Sequence, residues 1–263
     1  MEIKFENVSY RTVLENININ FKKGKITSII GKNGSGKTQV LNLIYGLNIP
    51  TNGQIYIDEF KNNENIEKMK SNIYYLTEDC SSKLFNFNIL EDINCMVYNP
   101  INKEYLYELL KIFGLTKEIL SKNYMEISSG EKKKICLIIM FMNNKDVLLL
   151  DNPNSELDNK SIQNLIKLLK KEKKRGKTII LTSNNSEFVL QVSDQVIVLD
   201  NRKIILDDDK YTVMSNESIL NRVNIKVPNI IKFENEVLKT KNIRLGYRDN
   251  INDLIKDVYR NAK

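Results

Sequence analysis

The chain has 263 residues, 41% hydrophobic and 28% charged, which is the composition of a folded protein with one large domain, or one domain and an appendage. Lys+Arg is 40 against 33 Asp+Glu, a net charge of +7, but the lysines are scattered and not interleaved with aromatics, so no nucleic-acid partner is expected. The absence of histidine excludes a His general base, a Ser-His-Asp triad and a His-ligated metal, and the distant Cys80, Cys95 and Cys136 exclude a zinc or disulfide framework.

The opening segment MEIKFENVSY carries charge at once and has no apolar stretch, so no signal peptide is expected. Met1–Val8 and Val13–Phe21 alternate as strands, and Lys25–Ile30 is a short apolar run of the kind a buried parallel strand shows. GKNGSGKT follows at Gly31–Thr38, and Gln39–Leu47 resumes at helical spacing. Thr51–Ile57 opens with a turn signal and alternates, as an antiparallel excursion would. Ile73–Leu76 is a further strand. Residues 79 to 142 turn mostly helical, most clearly over Tyr105–Phe113 and Glu131–Met142. The longest apolar run, Ile135 to Met142, falls well short of the roughly 20 residues a membrane-spanning helix needs. Strands at Asp146–Leu150, Lys177–Thr182 and Gln195–Leu199 bracket a helix at Lys160–Lys171. Strands alternating with helices through right-handed crossovers give an α/β fold with a parallel-sheet core. Residues 211–263 show no clear strand, and helical stretches surround Pro228. The short basic clusters Lys132–Lys134 and Lys170–Lys174 are taken as solvated.

Gly31–Thr38 satisfies G-x-x-x-x-G-K-[ST] in its required setting, after a buried strand and at the start of a helix. Gly31, Gly34 and Gly36 let the backbone aim N–H groups at phosphate oxygens, with Lys32, Asn33, Ser35 and Gln39 as the loop's other contacts. The helix beginning near Lys37 adds its positive dipole end. Lys37 is assigned to the β- and γ-phosphates of ATP, Thr38 to Mg²⁺, and Asp151, closing an apolar strand, to the same cation.

Three further stretches follow at familiar spacing, and with them the chain resembles an ABC-type ATPase, a P-loop NTPase, over residues 1 to about 206. ISSGEKKK at Ile127–Lys134 is similar to the family's signature, VLLLDNP at Val147–Pro153 to its Walker B strand, and SELD at Ser155–Asp158 to its D-loop. The resemblance implies a nucleotide-binding domain over 1–210 with an inserted helical subdomain at about 79–140, and a small helical extension over 211–263. It implies that Tyr10 stacks on adenine and that Ser128, Ser129, Gly130 and Glu131 face the γ-phosphate of ATP held by a second ABC-type ATPase. The stretch from Asp79 to Ile127 would dock a transmembrane subunit, at the cytoplasmic face of the membrane.

The departures from the family pattern bear on catalysis. The glutamate usual after the Walker B aspartate is Asn152, the switch histidine position is Ser183, and the glutamine that senses the γ-phosphate is Glu78. The middle glycine of the signature is Ser129. An amide cannot accept a proton at neutral pH, so general-base assistance worth about 10²–10⁴-fold is expected to be lost. The chain is therefore expected to bind ATP, to hydrolyse it slowly, and to complete the site of a catalytically intact partner. A non-hydrolytic scaffold is the alternative, with a soluble ABC protein lacking any membrane partner behind it. The tail YTVMSNESILNRVNIKVPNIIKFENEVLK, with its apolar-Pro step at Val227–Pro228, and KLFNFNILEDI at Lys83–Ile93 resemble the energy-coupling-factor transporter ATPases.

Overall fold

The computed structural model describes residues 1–61 and 70–241, together with Lys256 and Tyr259. Its strands are β1 (Ile3–Tyr10), β2 (Leu14–Phe21), β3 (Ile26–Gly31), β4 (Asn52–Ile57), β5 (Phe60–Lys61), β6 (Ile73–Leu76), β7 (Val147–Asp151), β8 (Thr178–Thr182), β9 (Gln195–Asp200) and β10 (Lys203–Asp209). Its helices are α1 (Lys37–Tyr45), α2 (Ile89–Met96), α3 (Lys103–Ile112), α4 (Ser129–Asn143), α5 (Asn159–Lys174), α6 (Ser186–Val192), α7 (Lys210–Ser215), α8 (Glu217–Arg222) and α9 (Asn229–Lys241).

Two sheets form among the described residues. The first is antiparallel in the order β2-β1-β4-β5; the second runs β10-β9-β3-β8-β7-β6, parallel except for β10. Because side chains alternate across a strand, the parallel sheet supplies two cores at once. Val147 and Leu149 of β7, Ile180 of β8 and Ile197 of β9 face one side, where α1 is sandwiched against the antiparallel sheet. Leu148 and Leu150, Ile179 and Leu181, and Val196 and Val198 face the other, under α4, α5 and α6. The arrangement is an α/β, P-loop NTPase fold. The functional loops gather beyond the carboxyl ends of β3, β6, β7 and β8, where open parallel sheets place ligands.

Asn88 and Asn102 cap α2 and α3 by accepting the backbone N–H of Glu91 and Tyr105. Between β6 and α4 the chain forms these two helices and 3₁₀ turns at Cys80–Lys83, Lys117–Ser121 and Tyr124–Glu126. In the tail, Val213, Met214, Leu220, Val223, Val227 and Ile231 join the core of the larger sheet. Glu187 accepts the backbone N–H of Asn229 at 2.7 Å, which pins the start of α9 to α6. The expected extension beyond residue 241 lies outside the described residues, apart from Lys256 and Tyr259.

Three elements do not follow from periodicity. β5 has two residues, α6 has seven that are nearly all buried, and β10 ends in Asp207–Asp209, whose charges hide its alternation. The Lys132–Lys134 cluster is also not a uniformly solvated run. Lys133 is 2% exposed, its stem packed in the fold and its ammonium donating to the Glu78 carbonyl at 3.2 Å. The three cysteines are free thiols, as expected of a chain without a disulfide framework.

Gly53 gives a local test of the antiparallel sheet. It lies at φ +79°, and a Cβ there would sit 2.3 Å from the Asn7 carbonyl oxygen, at the irregularity where β4 meets β1. Gly53→Ala is expected to cost about 2–4 kcal/mol and to lower Tm by roughly 5–15 °C. Gly114→Ala, at φ +69° with nothing within 4 Å, should lose only about 1–2 kcal/mol of left-handed strain. Thermal unfolding of the two variants side by side checks the contribution of close backbone contact.

Candidate nucleotide-binding site

The loop after β3 is built by its glycines. At Gly31, φ is +152° and a Cβ would lie 2.2 Å from the Leu199 carbonyl oxygen of β9. At Gly36, φ is +103° and a Cβ would press Leu14 at 2.7 Å. Between them Gly34 also takes a positive φ, and Ser35 N–H closes the turn on the Lys32 carbonyl at 3.1 Å. Gly36 caps α1 with no side-chain hydrogen bond, so the first N–H groups of the helix are left for an anion. Ser35 Oγ is buried with no hydrogen-bond partner among the described residues. An orphaned hydroxyl in a glycine-built loop at an uncapped helix start fits a phosphate group.

Lys37 folds back across this loop, donating to the Gly31 and Lys32 carbonyls at 2.8 and 2.9 Å. Burial pushes its pKa down, and the nearby charges of Asp151 and Glu78 oppose that shift. The loop opens on a cavity of about 440 Å³ lined by Lys37, Thr38, Gln39, Glu78, Asp151, Asn152 and Ser183, among others. Thr38 and Asp151 provide hard oxygen donors of the kind Mg²⁺ prefers. Asp151 is buried and its Oδ1 accepts from Thr182 Oγ1 at 2.5 Å.

Sheet register explains why Glu78 and Asn152 meet. β6 and β7 pair in parallel with Leu76 opposite Leu150; two residues further on, Glu78 lies opposite Asn152. Asn152 Nδ2 donates to Glu78 Oε1 at 2.9 Å, although the two are 74 positions apart in sequence. β7 and β8 place Thr182 beside Asp151 in the same way, and Thr182 Oγ1 also accepts the Asn152 N–H at 3.0 Å. Ser183 is buried and donates to Asn154 Oδ1 at 2.8 Å. Asn33, on the loop itself, accepts from Asn184 at 3.0 Å.

Two groups lie outside the cavity lining. Tyr10 is 7% exposed and belongs to the core beneath the antiparallel sheet, with the Arg11 guanidinium 5.2 Å from its ring centroid. It points inward because β1 alternates, and its position along the strand falls on the core face. Val13, three residues on, lines the cavity instead. Ser128, Ser129, Gly130 and Glu131 do not line the cavity either. They start α4 with a capping box: Ser128 Oγ receives the Glu131 N–H at 3.3 Å, and Glu131 Oε2 receives the Ser128 N–H at 2.8 Å. These Ser128 donors hold the Glu131 carboxyl below its usual range. The segment after β7 packs on this helix start, since a Cβ on Gly130 would meet the Glu156 carbonyl oxygen at 2.9 Å. Lys134 bonds Asp158 at 2.9 Å, and chiefly that bond holds the Asp158 carboxyl down to about 2.

Val13, Thr182 and Asn184 complete the cavity wall. Thr182 is visible in the sequence only as the residue before the switch position. Val13 and Asn184 carry no sequence signal, because strand pairing and a loop after β8 bring them in.

The sequence profile of the ABC transporter family matches residues 14–155, more than half of the chain and with it the phosphate loop, the signature and Asp151. The chain belongs to the ABC transporter family. This ABC ATPase is 30% identical over 258 residues to the energy-coupling factor transporter ATP-binding protein EcfA3 of Oenococcus oeni, covering 91% of the chain and 90% of the relative. It is 30% identical over 251 residues to the corresponding EcfA2 of Streptococcus pyogenes, covering 88% and 90%. Among solved structures it resembles cbiO1 of Clostridium perfringens, described as part of the ABC transporter complex cbiONQ, with a TM-score of 0.69 and 26% identity over 88% of this chain and 97% of that one.

Proposed function

We propose that the chain is the ATP-binding subunit of an ABC-type transporter of the energy-coupling-factor kind, coupling ATP-driven closure of two nucleotide-binding domains to solute movement. The observation that carries this reading is a complete phosphate cradle beside a cavity whose wall has an amide, Asn152, where water activation needs a base. The backbone N–H groups of Gly31–Thr38 and the Lys37 ammonium hold the phosphates. Thr38 and Asp151 would hold Mg²⁺, which would supply charge neutralisation at the phosphates. Ser183 offers only a hydroxyl, already donated to Asn154. The chain's own site therefore turns over slowly.

The signature supports a role in a second site. It lies away from its own cavity, and although the capping box takes the Ser128 and Glu131 N–H groups, those of Ser129 and Gly130 would complement phosphate held by a second, catalytically intact ATPase. The 1–210 nucleotide-binding domain would supply both surfaces, and the described helices of the extension, up to residue 241, would add contacts between the two ATPases.

Docking on a transmembrane subunit is supported by an apolar patch on the helical insertion at about 79–140. Phe85, Phe87 and Met125 are 70, 88 and 76% exposed, and Asn123 ties the two edges of the patch by donating to the Phe87 carbonyl at 3.2 Å. An exposed apolar cluster of this kind marks a binding surface. Among the described residues no helix is long and apolar enough to cross a membrane, so attachment to the cytoplasmic face would run through this patch.

The test is recruitment to membranes that contain the transmembrane coupling subunit of an energy-coupling-factor transporter. The wild-type chain should sediment with them, and Phe87→Asp with Met125→Asp should reduce recovery by about tenfold or more, the loss of roughly 1.4 kcal/mol or more of contact. ATP binding in solution should not change. Equal recovery of both proteins, or failure of the wild type to sediment, would defeat the docking reading.

A further inference from the structure

We propose that Glu78 is the water-activating carboxylate of this site, so that the chain's slow hydrolysis runs through the wall opposite residue 152. The proposal rests on the reading of the cavity as an ATPase site.

Two carboxylates line the cavity among the described residues, Asp151 and Glu78. Asp151 is buried, with Oδ1 committed to Thr182 at 2.5 Å, and with Thr38 it lines the cavity as a cation ligand would. Asn152 has no basic atom to offer. Glu78 remains, and it is held in place from three directions. Parallel register sets it opposite Asn152. The Asn152 amide pins Oε1 at 2.9 Å, while Oε2 has no hydrogen bond among the described residues. The buried Lys133 of α4 grips the Glu78 carbonyl at 3.2 Å.

Asn152 is itself fixed by Thr182, which also bonds Asp151. One chain of hydrogen bonds thus runs from the cation ligand to Oε1 of the Glu78 carboxylate, leaving Oε2 open. The usual amide and carboxylate have exchanged walls, and the site keeps one of each. Lys133 also links Glu78 to the helix that begins at the signature. Displacement of α4 by an arriving partner would therefore be felt at the carboxylate.

In the step, Glu78 takes a proton from water as the water oxygen bonds to the γ-phosphorus. The bond from that phosphorus to the β–γ bridging oxygen breaks, and ADP leaves with the electron pair. The proton on Glu78 then passes to solvent.

The experiment uses the assembled pair of ATPases, with the partner subunit's own phosphate-loop lysine replaced by alanine so that only this site turns over. Steady-state hydrolysis is compared for wild type, Glu78→Gln, Glu78→Gln with Asn152→Glu, and Lys37→Ala as background. Binding of a fluorescent N-methylanthraniloyl ATP with Mg²⁺ is titrated in parallel. Glu78→Gln should lower kcat to background, while KM and the titrated Kd stay within about twofold, the pattern of a contact made only in the transition state. The exchanged pair should recover turnover. The proposal is overturned if Glu78→Gln keeps the wild-type rate, if its rate and binding fall together, if the exchanged pair stays at background, or if wild type itself does not exceed Lys37→Ala. A fast wild type silenced by Glu78→Gln would instead defeat the slow-site reading and leave Glu78 as the base.

Discussion

Lys37→Ala should abolish measurable nucleotide binding at this site. The ammonium is half-buried, spans the loop through the Gly31 and Lys32 carbonyls, and sits where β- and γ-phosphates would replace those acceptors. Hydrogen bonds to charged groups contribute about 1.5–3 kcal/mol each, and two of them correspond to roughly 10²–10⁴-fold in Kd. The loss has a second component. Without the ammonium the charges of Asp151 and Glu78, which raise the Lys37 pKa, lose the lysine that partly offsets them and would repel a triphosphate more strongly in the mutant. Isothermal titration with ATP and Mg²⁺ reads the result directly, and a variant binding within about threefold of wild type would show that the loop's N–H groups suffice. Burial already lowers the Lys37 pKa. The ammonium is thus less costly to keep once phosphate is bound, because a neighbouring anion favours the charged form.

Asn152→Glu is expected to depend strongly on residue 78. Alone it places two carboxylates across a contact that now measures 2.9 Å between an amide and an acid. Like charges at that distance cannot both ionise freely, and one of them would hold a proton. The single variant should therefore gain little turnover. Combined with Glu78→Gln, the amide and acid face each other again from exchanged walls. The base now follows Asp151 directly, and kcat should rise above the Glu78→Gln background by up to the roughly 10²–10⁴-fold that general-base assistance supplies. Ser183 still stands at the switch position, and it limits the gain. The four rates form a double-mutant cycle whose coupling should reach about 3 kcal/mol or more, a recovery of 10²-fold or more at roughly 1.4 kcal/mol per tenfold. Additive rates would mean that the 78–152 contact has no part in the chemistry.

These expectations differ in how far the sequence alone could carry them. Gly31, Gly34, Gly36 and Lys37 are legible because their demand is local. Positive φ values and a helix start follow from residues a few positions apart, and no distant contact is needed to specify them. Strands β3, β7, β8 and β9 are legible for a related reason. Burial on both faces leaves a continuous apolar run that few other structures tolerate. Tyr10 shows the limit, since its motif position is right for the family while its side chain follows the inward phase of β1. That phase depends on the irregular pairing of β1 with β2 and β4. Lys133 shows another limit, because nothing in a run of three lysines says which one the helix turns inward.

By itself, then, the amino-acid sequence determined the phosphate loop, the Walker B aspartate, the signature and the α/β class, and through their order the family. All of these are set by short-range backbone geometry and by hydrophobic period. Tertiary structure alone decided that Glu78 and Asn152 share a hydrogen bond, that Thr182 joins them to Asp151, and that Lys133 ties Glu78 to the signature helix. Those contacts cross 74, 31 and 55 positions of chain. They exist because parallel strands fix the register of loops that begin at their carboxyl ends, and no local preference of the residues encodes which strand lies next to which.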